Sequence, residues 1–117
     1  YILIDEAHNA MKYGFSVLMD ILVQGREFGV GVILSSQYLS QFTSKRMDYS
    51  EPLLTWFIHS VRQLKKAELK DMGIVRPSED RVDKIRSQSM NEALYKSYGT
   101  ADDGDFIRVL PFWKIKR

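Results

Sequence analysis

The chain has 117 residues, 44% of them hydrophobic, 27% charged and 12% aromatic, with no cysteine. That composition excludes a disordered chain, a disulfide scaffold, Cys-ligated zinc, an iron–sulfur cluster and thiol catalysis, and the length bounds it to one domain or part of one. A net charge of +2 with both signs interspersed is too mild to imply nucleic-acid binding by itself, and neither a membrane-length apolar run nor a signal-peptide pattern is present, so a cytoplasmic, non-membrane location is expected.

Tyr1-Ile2-Leu3-Ile4 is an apolar, β-branched run, the pattern of a strand buried on both faces in the middle of a parallel sheet. A central strand needs neighbours on both sides, so the expectation is the C-terminal part of a larger α/β domain whose remainder lies upstream. After Asp5-Glu6 a helical pattern runs from about Asn9 to Phe28: Phe15, Leu18, Met19 and Leu22 share a face, widened by Val17 and Ile21. Gly14 weakens its start and Gly29 ends it. Val30 to Ser36 reads as a second buried strand, completing a βαβ unit with parallel pairing. A short helix around Leu39 to Arg46 follows, then a break at Ser50-Glu51-Pro52. Leu53 to Val61 reads as a third strand, and Gln63 to Met72 as a charged helix stopped by Gly73. Pro77-Ser78-Glu79-Asp80 starts a helix running to about Ser87. Weak alternation over Glu92–Tyr98, a turn at Ala101-Asp102-Asp103-Gly104 and a strand from Phe106 to Leu110 read as a terminal β-hairpin.

The chemistry concentrates at the strand ends. An apolar strand closing on Asp5-Glu6 has the form of a Walker B element: a rigid strand end aims carboxylates into the crevice where open α/β sheets bind ligands. Asp5 would hold Mg²⁺ through its water shell, and Glu6 would polarise an attacking water. The alternative is an acidic turn leaving the core. Gln37, at the end of the next strand, donates and accepts, which suits bridging a phosphate oxygen and a water; it could equally cap a helix. Arg26, in Gly25-Arg26-Glu27-Phe28-Gly29-Val30-Gly31, is either a helix-end cation or an arginine finger acting across a subunit boundary. His8 suits the start of a helix or a link to Gln37; with His59 as the only other histidine, a zinc site is not expected.

Together, the apolar-Asp-Glu-Ala-His strand, the Gly-Arg-Glu-Phe-Gly-Val-Gly segment and the strand ending Ser35-Ser36-Gln37 resemble the HerA/FtsK group of P-loop ATPases, and within it the HerA-type helicases of phosphorothioation-dependent DNA restriction. The resemblance covers about the first 40 residues and extends weakly through Phe57-Ile58-His59, Leu69 to Gly73 and Gly104 to Phe112. It implies a partial RecA-like P-loop NTPase core with three parallel strands, flanking helices and a C-terminal β-hairpin, hexameric rings, Mg-ATP at subunit interfaces, translocation on double-stranded DNA and accessory restriction or nuclease subunits. By matching position it makes Asp5 the magnesium residue, Glu6 the catalytic base, Gln37 the γ-phosphate sensor and Arg26 the trans arginine. One departure is large: no Gly-x-x-x-x-Gly-Lys-Ser/Thr occurs in the sequence, so the chain alone is expected to lack ATP turnover. Two other readings stand beside this one. The segment could be a non-catalytic assembly module of a ring. Alternatively, Asp5-Glu6-Ala7-His8 could be the box of a superfamily 2 DEAH helicase, although the later motifs of that class are missing. Arg76, Arg81, Lys84 and Arg86, with the tail Phe112 to Arg117, offer either phosphate contacts to DNA or a solvated helix face and basic tail.

Overall fold

The computed structural model describes residues 1–97 and 103–115. The chain is mixed α/β and forms two compact units, Tyr1–Leu53 and Leu54–Arg117.

In the first unit, β1 (Ile2–Ile4) and β2 (Val32–Leu34) pair in parallel, with Ile2 beside Val32, Leu3 beside Ile33 and Ile4 beside Leu34. The connection is not the single helix that the periodicity suggests. It is α1 (His8–Met11), a break, α2 (Ser16–Gln24) and a 3-10 turn over Gly25–Phe28. Gly14, at φ 70°, turns the backbone left-handed between the two helices; a glycine there does more than weaken a helix, because it leaves helical geometry altogether. Gly29, also at φ 70°, ends the 3-10 turn, and the Val30 N–H then closes on the Gly25 carbonyl at 2.8 Å. Of the expected apolar face, Leu18 is buried and Met19 and Leu22 are half-buried, whereas Phe15 and Val17 stay exposed. Leu39 and Phe42, in a 3-10 turn over Leu39–Phe42, join Ala7, Met11 and Tyr49 in the core. The Tyr49 hydroxyl donates to the Phe15 carbonyl at 3.2 Å.

The burial expected for β1 on both faces is not met. Leu3 and Ile33, neighbours in register and therefore on one face, are 70% and 54% exposed. Two short parallel strands leave one apolar face bare, whereas parallel sheets are ordinarily covered on both faces.

In the second unit, β3 (Thr55–Ile58), β4 (Glu92–Ser97) and β5 (Asp105–Arg108) form an antiparallel sheet in the order β3-β4-β5. This corrects the expectation of a third parallel strand. β3 alternates, with Trp56 and Ile58 buried and Thr55 and Phe57 exposed; that one-faced pattern belongs to antiparallel pairing rather than to the centre of a parallel sheet. The β4–β5 hairpin is present, although its turn, expected at 101–104, lies partly outside the described residues. The helix expected over 63–72 contracts to α3 (Glu68–Asp71). α4 (Glu79–Arg86) forms as the Pro-Ser-Glu-Asp signal indicates, with the Ser78 hydroxyl accepting from the Arg81 N–H at 3.1 Å. Its buried Val82 and Ile85 join Leu64, Leu69, Met72, Ile74 and Leu94 in the core. Among the described residues, no helix is long and apolar enough to cross a membrane.

Candidate functional site

Parallel pairing brings the carboxyl ends of β1 and β2 to the same end of the sheet. Asp5 and Glu6 follow β1 there, and Ser35, Ser36 and Gln37 follow β2. The two ends are stitched together. The Ala7 N–H donates to the Ser35 carbonyl at 2.8 Å, and the Ser35 N–H to the Ile4 carbonyl at 3.0 Å. The Ser35 hydroxyl donates to Asp5 Oδ1, which also accepts the Glu6 N–H at 2.9 Å. These two donors, the Ser35 hydroxyl first and the Glu6 N–H second, favour the charged form and hold the Asp5 carboxyl below the ordinary aspartate range.

Glu6 stands at φ 47°, the only described non-glycine residue with positive φ. The left-handed region is unfavourable for a residue with a Cβ, and such geometry persists where neighbouring bonds over-determine it. Here the N–H of Glu6 is held by Asp5, its carbonyl accepts from the Asn9 N–H at 3.0 Å, and the next N–H is held by Ser35. From the other strand end, Gln37 Nε2 donates to Glu6 Oε1 at 3.3 Å. Asp5, Glu6 and Gln37 therefore meet, as their positions in the sequence suggest.

Arg26 does not join them. Its turn, Gly25–Phe28, precedes β2, and Ile2 at the start of β1 bonds the Gly31 carbonyl at 2.8 Å. Arg26 thus lies at the amino end of the sheet, separated from Asp5 by the strand ladder, about 10 Å for three residues. His8 begins α1 but makes no link to Gln37, whose amide goes to Glu6; His8 Nδ1 is enclosed without a hydrogen-bond partner among the described residues. Ser35, whose hydroxyl meets Asp5, is the residue of this strand-end cluster that motif reading passed over. Its signal was the polar end of β2, but its partner became visible only once the strands were aligned.

The residues fit a magnesium–phosphate ligand better than a free ion. No group of three or more His, Asp or Glu side chains able to hold a metal occurs among the described residues. Mg²⁺, however, is commonly bound by one or two carboxylates together with substrate phosphates, and among the described residues both hydrogen bonds to the Asp5 carboxylate fall on Oδ1, leaving Oδ2 open. The second unit has a cleft of about 490 Å³ that contains none of these residues. Four of its charged side chains are engaged: the Asp103 carboxylate accepts from the Val75 and Arg76 backbone N–H groups, Lys84 pairs with Asp80 at 3.4 Å, and Arg81 donates to the Asp103 backbone carbonyl at 2.9 Å. Arg86 likewise bonds the Leu64 carbonyl and lies 4.0 Å from Asp83.

No protein-family model and no curated protein sequence matches the chain.

Proposed function

We propose that the chain is the C-terminal part of a RecA-like ATPase domain of HerA/FtsK type, working in ATP-driven translocation or unwinding of double-stranded DNA in a restriction or defence system. The observation that carries this reading is Glu6, held at φ 47° with its carboxylate met by Gln37 from the neighbouring parallel strand. A strained acid at the carboxyl end of a parallel strand, beside a second carboxylate kept ionised, is an arrangement suited to hydrolysis at a phosphate. An assembly module without catalysis needs neither the strain nor the Gln37 contact.

In this reading Asp5 presents its free oxygen to the water shell of Mg²⁺, which supplies charge neutralisation to the phosphate oxygens when bound. Glu6 accepts the proton of the attacking water. Gln37 orients Glu6 and that water. Arg26, at the opposite end of the sheet, serves a neighbouring subunit of a homo-oligomeric ring. The triphosphate itself is cradled by a Gly-rich loop that these 117 residues do not contain. The test is Glu6→Gln in the ATPase that carries this segment together with such a loop. Mg-ATP binding is retained and turnover falls about 10²-fold or more, the range for losing a general base. An unchanged rate removes Glu6 from the role.

A further inference from the structure

Gln37 reaches Glu6 through one long bond from an exposed side chain, so its aim depends on its backbone being fixed. Gln41, in the turn Leu39–Phe42, supplies that fixation. Its Oε1 accepts the Ser36 hydroxyl at 2.5 Å, the Gln37 N–H at 3.1 Å and the Tyr38 N–H at 3.0 Å. Backbone N–H groups only donate, so the atom facing them is the amide oxygen and not the nitrogen. The Gln41 N–H bonds the Tyr38 carbonyl at 3.2 Å, and buried Leu39 and Phe42 anchor the turn on either side of Ser40 and Gln41. One oxygen thus gathers three donors from three successive residues and closes the segment in which Gln37 sits.

We infer that Gln41 is a positioning residue: by holding residues 36–38 on a single acceptor, it keeps the Gln37 amide on Glu6. Its catalytic consequence rests on the ATPase reading above, but its geometry does not. The acceptor oxygen is what matters, so glutamate can replace glutamine at 41, whereas methionine, of similar length but without a comparable acceptor, cannot.

The experiment uses the full 117-residue chain in solution. Wild type and Gln41→Glu give a nuclear Overhauser contact between the Gln37 side-chain amide and the Glu6 side chain. Gln41→Met loses that contact and speeds hydrogen exchange at the Gln37 and Tyr38 amides roughly tenfold, with signals from the core around Tyr49 unmoved. A Gln41→Met chain that keeps both the contact and the slow exchange overturns the inference. Should that variant unfold, Gln41→Glu and Ser36→Ala decide. The inference requires the first to keep the contact and the second, which removes one of the three donors, to speed exchange at the same two amides by a smaller factor; failure of either refutes it. In the assembled ATPase, Gln41→Met lowers kcat at unchanged KM for Mg-ATP, and Gln41→Glu restores it. If the magnetic-resonance results hold but the wild-type assembly does not hydrolyse ATP, the hydrolase reading fails and the positioning role stands.

Discussion

The backbone of Glu6 offers the sharpest test of whether this strand end is built for chemistry or for stability. At φ 47° a residue with a Cβ carries about 1–2 kcal/mol of left-handed strain. Glycine relieves that strain, but it gains about 0.4–1 kcal/mol of additional freedom in the unfolded chain. The difference leaves glycine favoured over alanine at this position by about 1 kcal/mol. Glu6→Ala is the necessary reference, because it removes the carboxylate and the exposed Gln37 contact while keeping the strain; surface changes of that kind stay within about 0.5 kcal/mol. Chemical unfolding of the three chains should therefore rank Glu6→Gly above Glu6→Ala by about 1 kcal/mol, or about 4 °C in melting temperature for a domain of roughly 100 residues. Wild type should lie close to the alanine variant. A glycine variant no more stable than the alanine variant would show that the left-handed geometry is not held in solution, and the argument from strain to function would fall with it. If the glycine variant is more stable and its assembled form is inactive, strain has been kept at this position for the acid it positions.

Three further outcomes can be measured. Ser35→Ala removes the first of the two donors that hold Asp5 low, so the Asp5 carboxyl should titrate closer to the ordinary aspartate value in a ¹³C carboxyl titration. A lowered native pKa adds stability above the unfolded-state pKa and loses it as pH falls through the native value, so the stability curves of wild type and Ser35→Ala should differ near neutral pH and converge in acid; parallel curves would refute the Ser35 contribution. Arg26→Ala should leave the stability of this chain within about 0.5 kcal/mol yet lower turnover of an assembled ring by about 10³ to 10⁵, with partial recovery on mixing with Glu6→Gln subunits; assembled mixtures no more active than their parts would remove Arg26 from the site. The bare Leu3–Ile33 face should make the chain self-associate with rising concentration in sedimentation, and Leu3→Glu should weaken that association; a wild type that stays monomeric at all concentrations contradicts it.

What the sequence discloses is set by how local each determinant is. Asp5 and Glu6 are legible because an apolar strand and the acids that end it are contiguous, and Gln37 because parallel strands open at the same end. Ser35 is legible only as a polar residue, since its partner is 30 positions away and pairing register decides which side chains meet. Gln41 carries no signal: it acts by turning one amide oxygen back onto three preceding residues, a contact that no periodicity marks. The α1–α2 break hides for a different reason. Phe15, Leu18, Met19 and Leu22 keep a helical spacing, yet Phe15 precedes the first turn of α2 and is exposed. β3 misleads because Leu53 to Val61 is apolar enough for either kind of sheet, and only its alternating burial against β4 settles the pairing.

β1 has the composition of a strand buried on both faces and yet lacks cover on one of them. An Ile-Leu-Ile strand implies cover on both faces because leaving such side chains in water forfeits roughly 1.5–3 kcal/mol for each one exposed. Leu3 and Ile33 remain exposed side by side, so that stabilisation is not realised within the described residues. The strand ends nevertheless reach their arrangement, because the bonds that fix them are polar and cross from one strand end to the other: Ala7 to Ser35, Ser35 to Asp5 and Gln37 to Glu6. The geometry of the candidate site therefore depends on the β1–β2 register and on the segment closed by Gln41, and it does not depend on whatever covers the bare face. Covering that face should stabilise the chain while leaving the Asp5–Glu6–Gln37 contacts as they are.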